Sequence, residues 1–129
     1  MGRNLHILVV EDDRDVRESL TLFLELEGHT VTAAGGGHEA LELLASPPSP
    51  HAILIDLNMP HMTGDEFRAA QLADERIAGI PLLVMSADVH AAERARVMGA
   101  LAFLKKPMEA ERLLAVLAKL GDHSSGSVK

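Results

Sequence analysis

Short apolar runs and longer apolar stripes alternate along this chain. Runs rich in Ile, Val and Leu recur at His6–Val10, Thr30–Ala33, Ala52–Ile55, Pro81–Met85 and Ala102–Leu104. Each has strand length and lacks strict polar alternation, the pattern of strands buried on both faces of a parallel sheet. Between them the apolar spacing changes to that of helices. Val16, Leu20, Phe23 and Leu24 fall at i, i+4, i+7 and i+8, a stripe that stops at Gly28. Further helices are predicted at His38–Ala45, Gly64–Leu72, Ala91–Met98 and Glu109–Leu120, the last turning Leu113, Val116, Leu117 and Leu120 inward. Five strand-then-helix units imply an α/β fold. Right-handed crossovers place helices on both faces of its parallel sheet, which makes it doubly wound. Residues 1–120 are expected to form one domain. Residues 121–129, polar and rich in Ser and Gly, are expected to be a flexible tail with no output domain.

Composition narrows the partners more than the fold. The chain has 129 residues, one domain's worth. It carries 12 basic and 19 acidic residues, a net charge of −7, and its only aromatics are Phe23, Phe67 and Phe103. Direct nucleic-acid binding needs a basic footprint or stacking platforms, so it is not expected. The absence of cysteine excludes disulfides, thiolate metal sites and a cysteine nucleophile. No run approaches the roughly 18 apolar residues of a membrane span, and the first apolar run is too short for a signal peptide. A cytoplasmic protein without membrane contact is the expectation. The seven histidines lack HxxH or HxxxH spacing and read as surface or structural residues.

The chemistry sits where the strands end. In an open α/β sheet, ligands bind outside the carboxyl ends of the strands. Strand one is followed by Glu11, Asp12 and Asp13; strand three by Asp56; strand four by Ser86; strand five by Lys106. Carboxylates that converge on one edge repel one another unless a cation lies among them. An oxygen-only ligand set favours Mg²⁺, Mn²⁺ or Ca²⁺ over zinc. The hydroxyl and the ammonium can each bind an oxygen of a phosphoryl group. Together these groups make a kit for phosphoryl chemistry: a nucleophile, a cation site and a lysine.

On these residues the chain resembles a response regulator receiver domain of two-component signal transduction, of the chemotaxis-regulator type. The matching pieces are Ile7–Asp13 (ILVVEDD), Asp56–Gly64 (DLNMPHMTG), Ser86–Ala87, and Lys105–Pro107 preceded by Gly99 and Ala100. The resemblance covers about residues 5 to 120. The resemblance implies the flavodoxin-like receiver fold, with five parallel strands in the order 2-1-3-4-5 and five helices. It implies Asp56 as phosphoacceptor, taking a phosphoryl group from a histidine kinase or a histidine phosphotransfer protein. It further implies Mg²⁺, with Mn²⁺ as a substitute, at Glu11, Asp12, Asp56 and the Asn58 carbonyl. Ser86 and Lys106 are the implied phosphoryl partners, and Ser86 and Phe103 the implied switch residues. Output would pass from the surface of strands four and five and their helices to a downstream protein, by protein contact. A monomer or a phosphorylation-dependent dimer is expected, with no enzymatic activity beyond its own phosphorylation and dephosphorylation.

The acidic triplet offers two pairings, Glu11 with Asp12 or Asp12 with Asp13. The first is preferred because it follows directly on Val9 and Val10. The switch aromatic of the family is often Tyr; here Phe103 carries no hydroxyl. A free-standing receiver and one excised from a hybrid kinase or longer regulator fit the sequence equally. An aspartate-nucleophile phosphatase of the haloacid dehalogenase type fits worse: it needs an acid two residues after the nucleophile, where this chain has Asn58. A pseudo-receiver serving only as a binding module is disfavoured by the complete set of site residues.

Overall fold

The computed structural model describes residues 4–107 and 109–126. Its elements are β1 (His6–Val10), α1 (Arg14–Leu26), β2 (Thr30–Ala34), α2 (Gly37–Leu44), β3 (Ala52–Asp56), α3 (Gly64–Leu72), β4 (Leu82–Ser86), α4 (Ala91–Val97), β5 (Ala102–Lys105) and α5 (Ala110–Gly126). The strands form one parallel sheet in the order β2-β1-β3-β4-β5, as the resemblance implies.

Alternation along each strand sends successive side chains to opposite faces, and two core layers follow. On one face Leu8, Val10, Ile53, Ile55, Leu82 and Val84 meet Ala40 and Leu44 of α2, Phe67 of α3, and Ala91 and Ala95 of α4. On the other, Ile7, Val9, Leu54, Leu83, Met85 and Leu104 meet Leu20 and Leu24 of α1 and Leu113 and Leu117 of α5. Each fully buried Leu, Ile or Phe stabilises the fold by about 1.5–3 kcal/mol, so the two layers supply most of the driving force.

Four strands run one residue beyond their apolar runs, β2 to Ala34 and the other three to the polar residues Asp56, Ser86 and Lys105. Asp56 pairs with Met85, and Ser86 pairs with Lys105. An apolar run reports which side chains are buried in oil-like surroundings, whereas the ladder needs only backbone groups. The polar residues that close the runs are therefore still part of the sheet. Helix α5 also continues past Leu120 to Gly126, so the backbone of 121–126 is helical; residues 127–129 lie outside the described residues.

Helix α1 ends where the glycine signal placed it. Gly28 has φ of +97°, its N–H donates to Glu25 O at 3.0 Å, and His29 N–H donates to Leu24 O at 3.0 Å. This paired closure needs a left-handed residue, which glycine supplies without a Cβ clash. The turn feeds β2 directly beside β1.

Between β1 and β3 the winding reverses direction, because β2 lies to one side and β4 and β5 to the other. A crevice opens at the carboxyl ends of strands at such a point.

Candidate functional site

Glu11 and Asp56 stand on either side of that crevice, and Lys106 joins them. Its Nζ lies 2.8 Å from Glu11 Oε1 and 2.8 Å from Asp56 Oδ2. Glu11 is fully buried and Asp56 is 6% exposed, so neither charge is well solvated. Glu11 Oε2 accepts the Asp13 N–H at 3.0 Å, and Asp56 Oδ1 accepts the Asn58 N–H at 3.1 Å. Burial pushes the Glu11 carboxyl up; the Lys106 and Asp13 hydrogen bonds pull it down, and the Asp56 charge adds to the rise, which prevails. For Lys106, burial works against the charged form. Hydrogen bonds and charge from Asp56 and Glu11 outweigh it, and the ammonium titrates above the usual lysine range. The site therefore holds its lysine charged.

Asp12 is exposed, and its carboxylate completes a triad: one oxygen each from Glu11, Asp12 and Asp56 lie within 4.8 Å of one another. Three hard oxygen donors this close suit a divalent cation of the Mg²⁺ or Mn²⁺ class. Asp13 is turned elsewhere. It caps α1, its Oδ1 accepting the Asp15 N–H at 2.9 Å and the Val16 N–H at 3.2 Å. Of the two pairings open in the sequence, the geometry brings Glu11 and Asp12 to Asp56 and gives Asp13 a structural partner.

Ser86 closes the far side. It is fully buried at the end of β4, and its Oγ accepts the Asp88 N–H at 3.0 Å and lies 3.4 Å from Asn58 Nδ2. Asn58 itself is exposed. Lys106 is set in place by its own N–H, which donates to Ser86 O at 3.0 Å, and the Lys106–Pro107 peptide is cis. Phe103 lies opposite Val84 in the ladder, partly buried against the layer covered by α2, α3 and α4. It is thus in the sheet rather than in the crevice.

The loop from Asp56 to α3 is folded tightly. Gly64 N–H donates to Leu57 O at 3.1 Å, and a Cβ on Gly64 would stand 2.5 Å from Leu57 Cδ2 and 3.1 Å from Leu57 Cα. Only glycine permits that approach. Thr63 and Glu66 form a reciprocal cap that starts α3.

Sequence reading gave no part in this site to Arg17 and none to the turn at His61. Arg17 reaches back from α1 to the Glu11 carbonyl, Nη1 to O 2.8 Å. His61 has φ of +71° in a tight turn closed by Met62 N–H to Pro60 O at 2.7 Å, a strained conformation in the loop between Asp56 and α3. Neither residue type advertises such a role; a signal existed only in the placement of Arg17 one turn into the helix that follows the acidic cluster.

Comparison with known proteins agrees with this geometry. Residues 7–118 match the sequence model of the response regulator receiver domain. Response regulator MprA of Mycobacterium ulcerans is 40% identical over 121 residues, 91% of this chain and 50% of its own length, and that of Mycolicibacterium vanbaalenii is 39% identical over 120 residues, 90% and 50%. The chain spans about half the length of the curated relatives it matches. Among solved structures, chemotaxis response regulator CheY4 of Vibrio cholerae superimposes with TM-score 0.81 at 28% identity, covering 92% of this chain and 99% of that one. A response regulator receiver protein from Pseudomonas putida does so with TM-score 0.82 at 30% identity, covering 92% and 99%. With the strand order, the crevice and the sequence match in agreement, this chain belongs to the response regulator receiver domain family of two-component signalling.

Proposed function

We propose that this receiver accepts a phosphoryl group on Asp56 and passes the signal on by a change in its β4–α4–β5–α5 surface. The observation that carries the reading is the Asp56 carboxylate, 6% exposed at the end of β3, with Lys106 Nζ 2.8 Å away and oxygens of Glu11 and Asp12 within 4.8 Å. Glu11, Asp12 and Asp56 would hold Mg²⁺, with the Asn58 carbonyl at hand. The cation would supply positive charge where a phosphoryl dianion meets a carboxylate.

The chain's own groups have separate tasks. An Asp56 oxygen attacks the phosphorus of a phosphohistidine, the P–N bond breaks, and the imidazole leaves. Lys106, held between two carboxylates before the transfer, pairs with a phosphoryl oxygen after it. Ser86, buried at the next strand end, donates its hydroxyl to another oxygen, and Phe103 follows into the space it vacates. The phosphoryl group adds roughly −1.5 to −2 charge, and that change draws the two partners inward.

A donor protein has to approach over the same edge. A groove of about 600 Å³ lies beside Lys106, lined by Val16, Leu20 and Phe23 of α1 together with Met85, Pro107 and Ala110. Its walls are apolar, which suits a helical partner that presents a phosphohistidine, as a histidine kinase or phosphotransfer protein does. None of the described helices is long and apolar enough to cross a membrane.

With acetyl phosphate and Mg²⁺ the protein gains one phosphoryl group by intact mass spectrometry, and Asp56→Asn gains none. Equal labelling of the two would remove Asp56 from this role.

A further inference from the structure

We propose that Arg17 is a positioning residue for the cation site, acting through the peptide that joins Glu11 to Asp12; the proposal rests on the reading of that site given above. The three carboxylates are not held equally. Glu11 is fixed at both oxygens, by Lys106 and the Asp13 N–H, and Asp56 by Lys106 and the Asn58 N–H. Among the described residues, none donates a hydrogen bond to the Asp12 carboxylate, which is exposed. Its direction is therefore set by the backbone from which it springs.

That backbone is pinned from two sides. Glu11 N–H donates to Ala34 O at 3.0 Å, which ties the strand side. The Glu11 carbonyl, part of the peptide that ends at Asp12 N, accepts Arg17 Nη1 at 2.8 Å. Arg17 N–H donates to Asp13 O at 2.9 Å as an ordinary helical bond, which seats the residue in the first turn of α1; its side chain alone reaches back to the Glu11 carbonyl. Thr21 Oγ1 donates to Arg17 O at 2.8 Å and anchors the helix below it.

Charge and positioning predict opposite signs. Arg17 is a cation near a cation site, so by Coulomb repulsion alone its removal tightens binding of a dication. If its work is to hold the Asp12 peptide, removal weakens binding, since an outer-sphere partner of a ligand typically contributes 10–100-fold in metal affinity.

The test is Mn²⁺ affinity of the full chain, read by electron paramagnetic resonance of free Mn²⁺, well below the melting temperature of each variant. Arg17→Ala binds Mn²⁺ about tenfold more weakly. Arg17→Lys, which keeps a donor that can reach the carbonyl, falls between wild type and alanine. Arg14→Ala, which removes the same charge from an exposed part of the same helix, stays within about twofold of wild type. Binding by Arg17→Ala equal to or tighter than wild type overturns the proposal; should that variant not fold, Arg17→Met, which keeps an unbranched stem and removes the donor, does so by binding as tightly as wild type. Asp12→Ala separates the two levels. If it binds Mn²⁺ as well as wild type, the reading of the site itself fails, and this inference with it.

Discussion

Two histidines hold the start of β1 by accepting backbone hydrogen bonds. His29 Nδ1 accepts the Leu5 N–H at 3.1 Å, and His51 Nδ1 accepts the His6 N–H at 2.8 Å. Burial pushes His29 below the ordinary imidazole range, and the Glu27 carboxylate offsets this only in part. The unfolded chain therefore takes up a proton near pH 6.5 that the folded chain takes up only at lower pH. The stability from His29 is fully present above about pH 6.5 and is lost as pH falls through the folded value. His29→Asn keeps an acceptor oxygen and does not titrate. Urea midpoints measured from pH 7.5 to 5.5 fall less steeply for this variant than for wild type, by less than the ~1.4 kcal/mol per pH unit of one whole proton. Equal slopes would show that His29 does not sense the pH. The sequence marked the histidines as surface or structural without naming what any of them holds, because the partners of His29 and His51 are backbone groups 24 and 45 residues away. The acidic cluster behaved similarly. Its chemistry was legible, but the division of labour between the exposed Asp12 and the helix-capping Asp13 depends on which way a loop turns.

Elements were read more fully than contacts between them. Hydrophobic period located all five strands and all five helices, since burial repeats every two or about 3.6 residues whatever the partner. What joins α3 to α4 has no such period. Arg68 of α3 donates Nε to Met98 O at 2.9 Å and a terminal nitrogen to Gly99 O at 3.2 Å, so it caps the end of α4. Its other terminal nitrogen meets Gln71 Oε1 at 2.8 Å, and the buried Gln71 Nε2 donates to Ile77 O at 2.9 Å and Ile80 O at 3.0 Å. Asp65 in the first turn of α3 also pairs with Arg94 in the last turn of α4. Arg68→Ala would leave Gln71 Oε1 and two carbonyls without these donors, at a cost of about 1–3 kcal/mol. Amide exchange in residues 91–101 accelerates in that variant while exchange in β1 and β3 changes only with global stability. Uniform acceleration throughout the chain would show that the strap contributes to the fold and not to the hold on α4. Arg68→Lys does not restore the pattern, because an ammonium lacks the planar fork that reaches two helices at once.

Summed over the chain, the charge of −7 is unevenly spread: residues 1–42 hold nine acidic and three basic residues, and the remaining ten and nine. Part of that excess is the crevice, where three carboxylates face one ammonium. Like charges within 4.8 Å oppose the compact state, so the proposed cation site should lower the stability of the metal-free protein and repay it on binding. Asp12 is the informative residue, since its exposed carboxylate has charge to lose and no hydrogen bond to break. Asp12→Asn is expected to raise metal-free stability by about 0.5–1 kcal/mol, the size of one unscreened repulsion in water at this separation. Mg²⁺ at about 100 times its dissociation constant stabilises the wild type by about 2.7 kcal/mol, a rise in melting temperature on the order of 10 °C for a chain of this length. The asparagine variant loses most of that rise, so the order of the two melting temperatures inverts when Mg²⁺ is added. Sodium chloride at equal ionic strength does not reproduce the inversion, because screening relieves repulsion in the wild type without filling a site. Wild type and Asp12→Asn rising in parallel with Mg²⁺ would place the cation somewhere other than this crevice.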